Sequence, residues 1–393
     1  MIEPGDARLA ERLRREMKGE VLFDRFSRGR YSTDASIYRI EPLGVVVPRG
    51  DEDVAAALAI AREENVPVLP RGAGTSQCGQ AVNRALVIDC SKHMTAVRAL
   101  DVAGARVRVE PGVVVERLNK ALRPKGLFFP VDISTGSRAT IGGMTANNSC
   151  GARSLRYGNM VHNVRAIDAI IADGSRAHFA EVPGNFADIE PEPYRALVRD
   201  MRALHRREAD EIEARFPKLL RRVGGYNIDM LSDAGHNMAH LLVGSEGTLA
   251  FFTEIELDLQ PIPPHRVLGI CHFPSFHAAM AATKAIVALG PAAVELVDRT
   301  MIDLARAIAM FRPTVERFVV GEPAAILLVE FAGEDADENL RRLDRLVELI
   351  GDLGFPDAVV RAADSAFQSA VWEVRAHGLN IMMSMNGEGK PVS

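Results

Sequence analysis

The most constraining stretch of the chain is Pro70-Arg71-Gly72-Ala73-Gly74-Thr75-Ser76, placed directly after the apolar run 66–69. Two glycines within three residues let the backbone turn tightly. Successive N–H groups can then converge on one anion, and Thr75 and Ser76 add hydroxyl donors. A diphosphate is the natural guest of such a nest; a plain turn out of the strand is the competing reading. The spacing departs from the dinucleotide fingerprint, since Gln77 stands where its third glycine would, and no Gly-Lys-Ser/Thr follows to make a P-loop.

The surroundings of this loop predict the architecture. Residues 45–47 are a β-branched run, Asp51 is placed to cap a helix over 53–64, and 66–69 is the next strand, which together make a βαβ signature. Strands over 85–89 and 105–110 and a helix over 114–122 follow. Residues 164–172 and 175–179 then form a hairpin, because Asp173-Gly174 supplies the positive φ of a tight turn. Residues 192–220 read as one charged helical stretch, and 241–256 as a strand interrupted by Gly244 and Gly247. Pro261, Pro263 and Pro264 make a break that neither a helix nor a central strand tolerates, which predicts a domain boundary. Beyond it, strands at 267–272, 294–297 and 325–331 alternate with helices at 276–289, 301–310 and 337–350, an α+β module.

Composition narrows the function classes. A length of 393 residues corresponds to two or three domains, and 47% hydrophobic with 25% charged residues is ordinary globular content, not a disordered chain, a collagen or a coiled coil. A net charge of −5 argues against a nucleic-acid partner, which needs a basic face. The four cysteines (Cys78, Cys90, Cys150, Cys271) form no CxxC pair, so a disulfide scaffold, a zinc site and an iron–sulfur site all lack their spacing. The longest apolar run, near 278–297, is broken by Lys284, Gly290, Pro291 and Glu295 and predicts no transmembrane span. The expected location is the cytoplasm, with peripheral attachment to the inner membrane as the variant. The loop 386–393, rich in Gly and ending in Pro-Val-Ser, reads as a point where further polypeptide follows, or as a frayed terminus.

Two further glycine clusters follow the first: Ile141-Gly142-Gly143-Met144-Thr145-Ala146-Asn147-Asn148-Ser149-Cys150-Gly151, and Val243-Gly244-Ser245-Glu246-Gly247-Thr248-Leu249 with Thr253-Glu254-Ile255-Glu256. Small residues let backbone approach a flat ligand or a phosphate closely, and Asn147, Asn148 and Ser149 are uncharged polar partners; a glycine-rich helix seam is the bland reading of the second cluster. In this order and separation the three clusters resemble the flavin domain of the vanillyl-alcohol-oxidase-type (PCMH-type) flavoproteins, most closely their D-2-hydroxyacid dehydrogenase branch, over roughly residues 25–385.

That resemblance implies an α+β fold: a helical lead-in (1–37), a two-subdomain FAD-binding PCMH-type domain (38–263) and an incomplete α+β FAD-linked-oxidase C-terminal cap domain (264–393). It implies that Pro70, Arg71, Gly72, Ala73, Gly74, Thr75 and Ser76 wrap the FAD diphosphate. Pro130, Asp132, Ser137, Gly142, Gly143, Asn147, Ser149 and Gly151 would contact diphosphate, ribityl or isoalloxazine. Glu246, Gly247 and Ile255 would sit near the adenine or the flavin edge. Covalent members attach flavin to a His in the first loop; no His lies between Arg71 and Gly79, so FAD is expected to be non-covalent, with Cys150 as a second conceivable attachment point or a small packed Cys.

In Trp372-Glu373-Val374-Arg375, the resemblance makes Arg375 the guanidinium that grips the substrate carboxylate; a structural ion pair with a nearby acid is the alternative. Tyr226 and Asn227 are implied to lie near the flavin, and Lys390 to be a further carboxylate contact or an exposed lysine. His236 and His240, four apart, would share a helix face able to chelate a metal; packed histidines are the default. The family's His-x-His base segment is absent, and His377 does not match it, so the base is expected beyond Ser393. The implied function is oxidation of D-lactate or D-2-hydroxyglutarate, with electrons passing to cytochrome, quinone or an iron–sulfur protein or segment. The alternatives are a catalytically incomplete FAD-binding subunit that needs a partner chain, or a flavin reductase on the same fold.

Overall fold

The computed structural model describes residues 2–378 and residue 381. The chain opens with α1 (Ala7–Glu16), β1 (Glu20–Leu22), α2 (Arg25–Arg30), β2 (Gly44–Val47), α3 (Asp51–Glu63), β3 (Val68–Arg71) and β4 (Leu86–Asp89). They form one sheet of order β1-β2-β4-β3, in which β2 and β3 run parallel to β4 and β1 pairs antiparallel to β2. The first 37 residues are therefore no separate lead-in. They supply an edge strand, and Leu9, Ala10 and Leu13 of α1 share a core with Val54, Ala57 and Ile60 of α3. Asp51 is the first helical residue of α3 rather than its cap; the carboxylate that reaches back is that of Asp53, which accepts from the Arg49 amide at 2.8 Å and the Lys18 amide at 2.7 Å.

The second subdomain contains β5 (Val97–Asp101), β6 (Arg106–Val109), α4 (Val115–Leu122), β7 (Leu127–Phe128), α5 (Ile141–Asn147), α6 (Ser154–Tyr157), β8 (Val164–Ile171), β9 (Arg176–Phe179), β10 (Glu181–Pro183), α7 (Glu192–Arg207), α8 (Ala209–Arg215), β11 (Gly235–Asn237), α9 (Ala239–Leu242), β12 (Ala250–Asp258) and β13 (Gln260–Pro261). Its main sheet has the order β5-β6-β12-β8-β9, and Gly174, at φ +90°, turns the β8–β9 hairpin. The expected helix over 192–220 divides into α7 and α8 and ends at Arg215. The expected strand over 241–256 starts only at Ala250, because residues 244–247 turn through positive φ at Gly244, Glu246 and Gly247.

After Pro263 and Pro264 the cap domain begins: β14 (His265–Phe273), α10 (Phe276–Val287), β15 (Ala293–Asp298), α11 (Arg299–Ala307), α12 (Arg312–Phe318), β16 (Ala325–Gly333), α13 (Ala336–Asp352), β17 (Val359–Ala362) and α14 (Ser365–Ala376). The sheet is antiparallel, in the order β15-β16-β14-β17. Strand alternation splits its side chains between two cores. Cys271, Leu327 and Val329 meet α10 and α13, while Ile270, Ile326 and Leu328 meet α11, α12 and α14. Lys390 and the loop 386–393 lie outside the described residues. No helix among the described residues is long and apolar enough to cross a membrane.

His236 lies on β11 and His240 on α9, so the two share no helix face. Burial, reinforced by the neighbouring His162, pushes the His240 pKa down to about 4. The unfolded chain titrates this imidazole near 6.5, and so takes up the proton first as pH falls. Stability is therefore lost as pH drops from about 6.5 towards about 4. Urea denaturation at both ends of that window should show a smaller loss for His240→Gln than for the parent chain; equal losses would mean that the imidazole is already charged in the fold.

Candidate cofactor site between the glycine loops

A cavity of about 410 Å³ opens where the first sheet meets the second subdomain. Pro70, Arg71, Gly72, Ala73, Gly74, Thr75 and Ser76 line one wall, Gly142, Gly143, Asn147 and Ser149 another, and Glu246 and Gly247 a third. The three clusters, up to 177 residues apart in sequence, converge on one space. β3 carries the first loop out of the parallel sheet. Gly74 adopts φ +66°, and the amides of Gly72, Ala73, Gly74 and Thr75 donate to no acceptor among the described residues. Gly72 passes so close to the second cluster that a Cβ there would collide with Thr140 Oγ1. Thr140 caps α5, accepting from the Gly143 amide at 3.3 Å. A Cβ on Gly142 would come within 2.6 Å of Pro111 Cβ.

Arg71 lines the cavity, and its guanidinium is held by backbone carbonyls. Nη1 donates to the carbonyls of Ala81 (2.6 Å) and Tyr31 (3.3 Å), and Nη2 to that of Thr33 (2.8 Å). These bonds tie the first loop to the segments around Tyr31, Thr33 and Ala81. On the opposite wall Asn147 Nδ2 donates to Glu246 Oε1 at 2.9 Å, and Ser149 Oγ to Asn147 Oδ1 at 3.0 Å. Burial raises the Glu246 carboxyl above the usual range, partly offset by Asn147 and Gln80. Cys150 also lines the cavity, with Arg221 Nη2 3.3 Å from its Sγ.

Eight expected residues are not among those lining this cavity. Pro130 is buried and Ser137 is exposed. Ile255 is fully buried in the sheet core, which corrects its placement at a flavin edge; Ala250, Phe251 and Phe252 of the same strand reach the cavity instead. Gly151 runs against Asp132, where a Cβ would collide with the Asp132 carbonyl oxygen, so this glycine serves a backbone crossing. The Asp132 carboxylate is taken by Arg153, whose amide donates to Oδ1 at 3.0 Å and whose Nη1 donates to Oδ2 at 3.3 Å. Arg375 pairs with Glu295, its Nε donating to Oε1 at 2.7 Å. Tyr226 bonds Thr248 Oγ1 at 2.8 Å, and Asn227 Nδ2 donates to the carbonyls of His240 and Val243.

Sequence reasoning missed Thr140, Ser134, Thr135, Cys90 and Val223 as lining residues. Thr140 had a signal, a capping hydroxyl immediately before Ile-Gly-Gly. Val223 had none, because it arrives from the segment after α8. Free loop amides, close backbone approach and small side chains on two walls fit an extended ligand carrying a diphosphate, which FAD is.

The family model for the FAD binding domain matches residues 42–180, and that for the C-terminal domain of FAD linked oxidases matches 262–393. The chain is 30% identical to a D-2-hydroxyglutarate dehydrogenase of Pseudomonas putida, over 95% of this chain and 38% of that protein. It is 32% identical to one of Escherichia coli, over 92% and 37%. It is 31% identical to a mitochondrial D-lactate dehydrogenase [cytochrome] of Arabidopsis thaliana, over 85% and 49%. The chain thus spans well under half the length of the bacterial relatives. A solved alkyldihydroxyacetonephosphate synthase shares the fold, with a TM-score of 0.69 at 16% identity, over 96% of this chain and 64% of that one.

The cradle is testable through Gly72. Gly72→Val sets a branched side chain against Thr140, and is expected to weaken FAD binding by at least about tenfold in a fluorescence titration, a loss of about 1.4 kcal/mol; unchanged affinity would place the ligand elsewhere. With an FAD binding domain matched over 42–180, the C-terminal domain of FAD linked oxidases over 262–393, and relatives matched over more than nine tenths of the chain, the chain belongs to the PCMH-type FAD-linked flavoproteins.

Proposed function

We propose that the chain oxidises a D-2-hydroxy acid, D-lactate or D-2-hydroxyglutarate, and passes the electrons to a cytochrome, quinone or iron–sulfur acceptor. The names of the relatives that match 85–95% of the chain support this reading. The observation that carries it is the position of Arg375. It lies in the last turn of α14, next to β15, and β15 packs against α6, just after the cavity-lining Ser149 and Cys150. Its Nε and Nη2 engage Glu295, while Nη1 has no acceptor among the described residues. An oriented guanidinium is suited to a carboxylate, and fixing the carboxylate fixes the adjoining carbon that bears hydroxyl and hydrogen.

FAD when bound supplies the two-electron acceptor; the protein supplies binding and orientation. FAD is held without a covalent bond in this reading, since Ala73 stands where a linking His would and no His lies elsewhere in that loop. The chain would work in the cytoplasm, resting on the inner membrane where the acceptor is a quinone.

Anaerobic addition of each acid to the purified, FAD-loaded chain should bleach the flavin spectrum with one of them. Bleaching by neither would favour an incomplete FAD-binding subunit. Acid precipitation should release all flavin into the supernatant. Arg375→Lys, which loses the planar fork, is expected to raise KM by about tenfold or more with FAD affinity retained; an unchanged KM would remove Arg375 from substrate binding.

A further inference from the structure

We propose that Arg153 is a positioning residue that joins the cavity-lining loops to the substrate helix, locking onto Glu330 and Trp372 one helical turn before Arg375. This rests on the role given to Arg375 above. Arg153 follows the cavity-lining Ser149 and Cys150 by three or four residues, and its amide and Nη1 hold Asp132, two residues before the cavity-lining Ser134. From there the side chain crosses into the cap domain. Nε donates to Glu330 Oε1 at 3.1 Å and Nη2 to Oε2 at 3.2 Å, a two-bond fork on a carboxylate that is only 2% exposed. The guanidinium carbon lies 5.5 Å from the centre of the Trp372 ring. Nearby, Arg156 Nη1 donates to the Ala332 carbonyl at 2.6 Å and closes the same junction.

Glu330 and Glu295 lie on the same face of the cap sheet. Glu330 pairs with Ala293 and Leu328 with Glu295, so the two carboxylates are diagonal neighbours on adjacent strands. Each holds one arginine: Glu330 holds Arg153 from the flavin domain, and Glu295 holds Arg375 from α14. Trp372 and Arg375, three apart on α14, share one helix face. A shift of either cavity loop therefore reaches Arg375 through one guanidinium, one indole and one helical turn. Burial alone would make the Arg153 guanidinium easier to deprotonate; Glu330 and Asp132 reverse this and keep it charged.

Trp372 is the only tryptophan in the chain, so its fluorescence reports on this junction in the FAD-loaded protein without substrate. In both Arg153→Lys and Glu330→Gln, acrylamide should quench Trp372 about twofold more strongly than in the parent, and KM for the oxidised acid should rise about fivefold or more with kcat nearly unchanged. In an Arg375→Lys background the KM effect of Arg153→Lys should vanish, because the interaction it acts through is already gone. Unchanged quenching in both variants overturns the lock. Increased quenching with KM effects that simply multiply overturns the coupling to Arg375 and leaves Arg153 a structural bridge. If Arg375→Lys alone leaves KM unchanged, the substrate reading of Arg375 fails and the coupling with it, while quenching still decides the lock.

Discussion

The shape of the cavity-lining glycine loop depends on where the positive charge of Arg71 is satisfied. A guanidinium this deeply buried must find acceptors, and those available are backbone carbonyls from two other segments, Tyr31 and Thr33 on one side and Ala81 on the other. Asp34 and Asp89 lie close enough to favour the charge, and Tyr31 donates to Asp89 at 2.7 Å. The Ala35 amide adds a bond to the Gly74 carbonyl at 3.1 Å. Anchored at these points, a loop rich in glycine keeps one shape, with the amides of residues 72–75 meeting no acceptor among the described residues. This is also why the N-terminal segment belongs to the flavin domain: without residues 31–35 the charge of Arg71 would be buried with too few partners.

A second arginine-based connection joins the halves of the molecule. The Pro263-Pro264 link leaves the cap domain free to fold as its own antiparallel sheet with two cores, and the junction is then made by side chains, above all Arg153 on Glu330 and Arg156 on Ala332. The fold is shared with alkyldihydroxyacetonephosphate synthase at low identity, so fold alone assigns no reaction here. The features that bear on chemistry are local, namely the residues lining the cavity and the surroundings of Arg375.

Local signals were readable wherever a residue's conformation is governed by its immediate neighbours. Gly72 and Gly74, the Asp173-Gly174 turn and the proline break all appear where the sequence predicted them, because each depends on φ limits or a missing N–H within a few residues. Misreadings arose where long-range packing decides. Residues 241–249 have strand-like composition, yet they end α9 and then turn, with Gly244 beside Asn148 and Gly247 beside Pro70. Ile255 sits next to a polar cluster in sequence but faces the sheet core, a matter of strand phase after the irregular pairing between Phe252 and Glu254.

The amino-acid sequence by itself determined that this chain makes an α/β lead into a glycine loop, breaks at a proline pair and continues as an α+β module, and its three glycine clusters carry the family resemblance that implies FAD. It did so because glycine, proline and apolar periodicity act over short stretches of backbone. Only the tertiary structure decided that Arg71 binds the carbonyls of Tyr31, Thr33 and Ala81, that Asp132 takes Arg153, that Gly151 lies against the Asp132 carbonyl, and that Arg375 meets Glu295. Each of those outcomes depends on which distant carbonyl or carboxylate comes within about 3 Å, the reach of a hydrogen bond, and no local pattern encodes that.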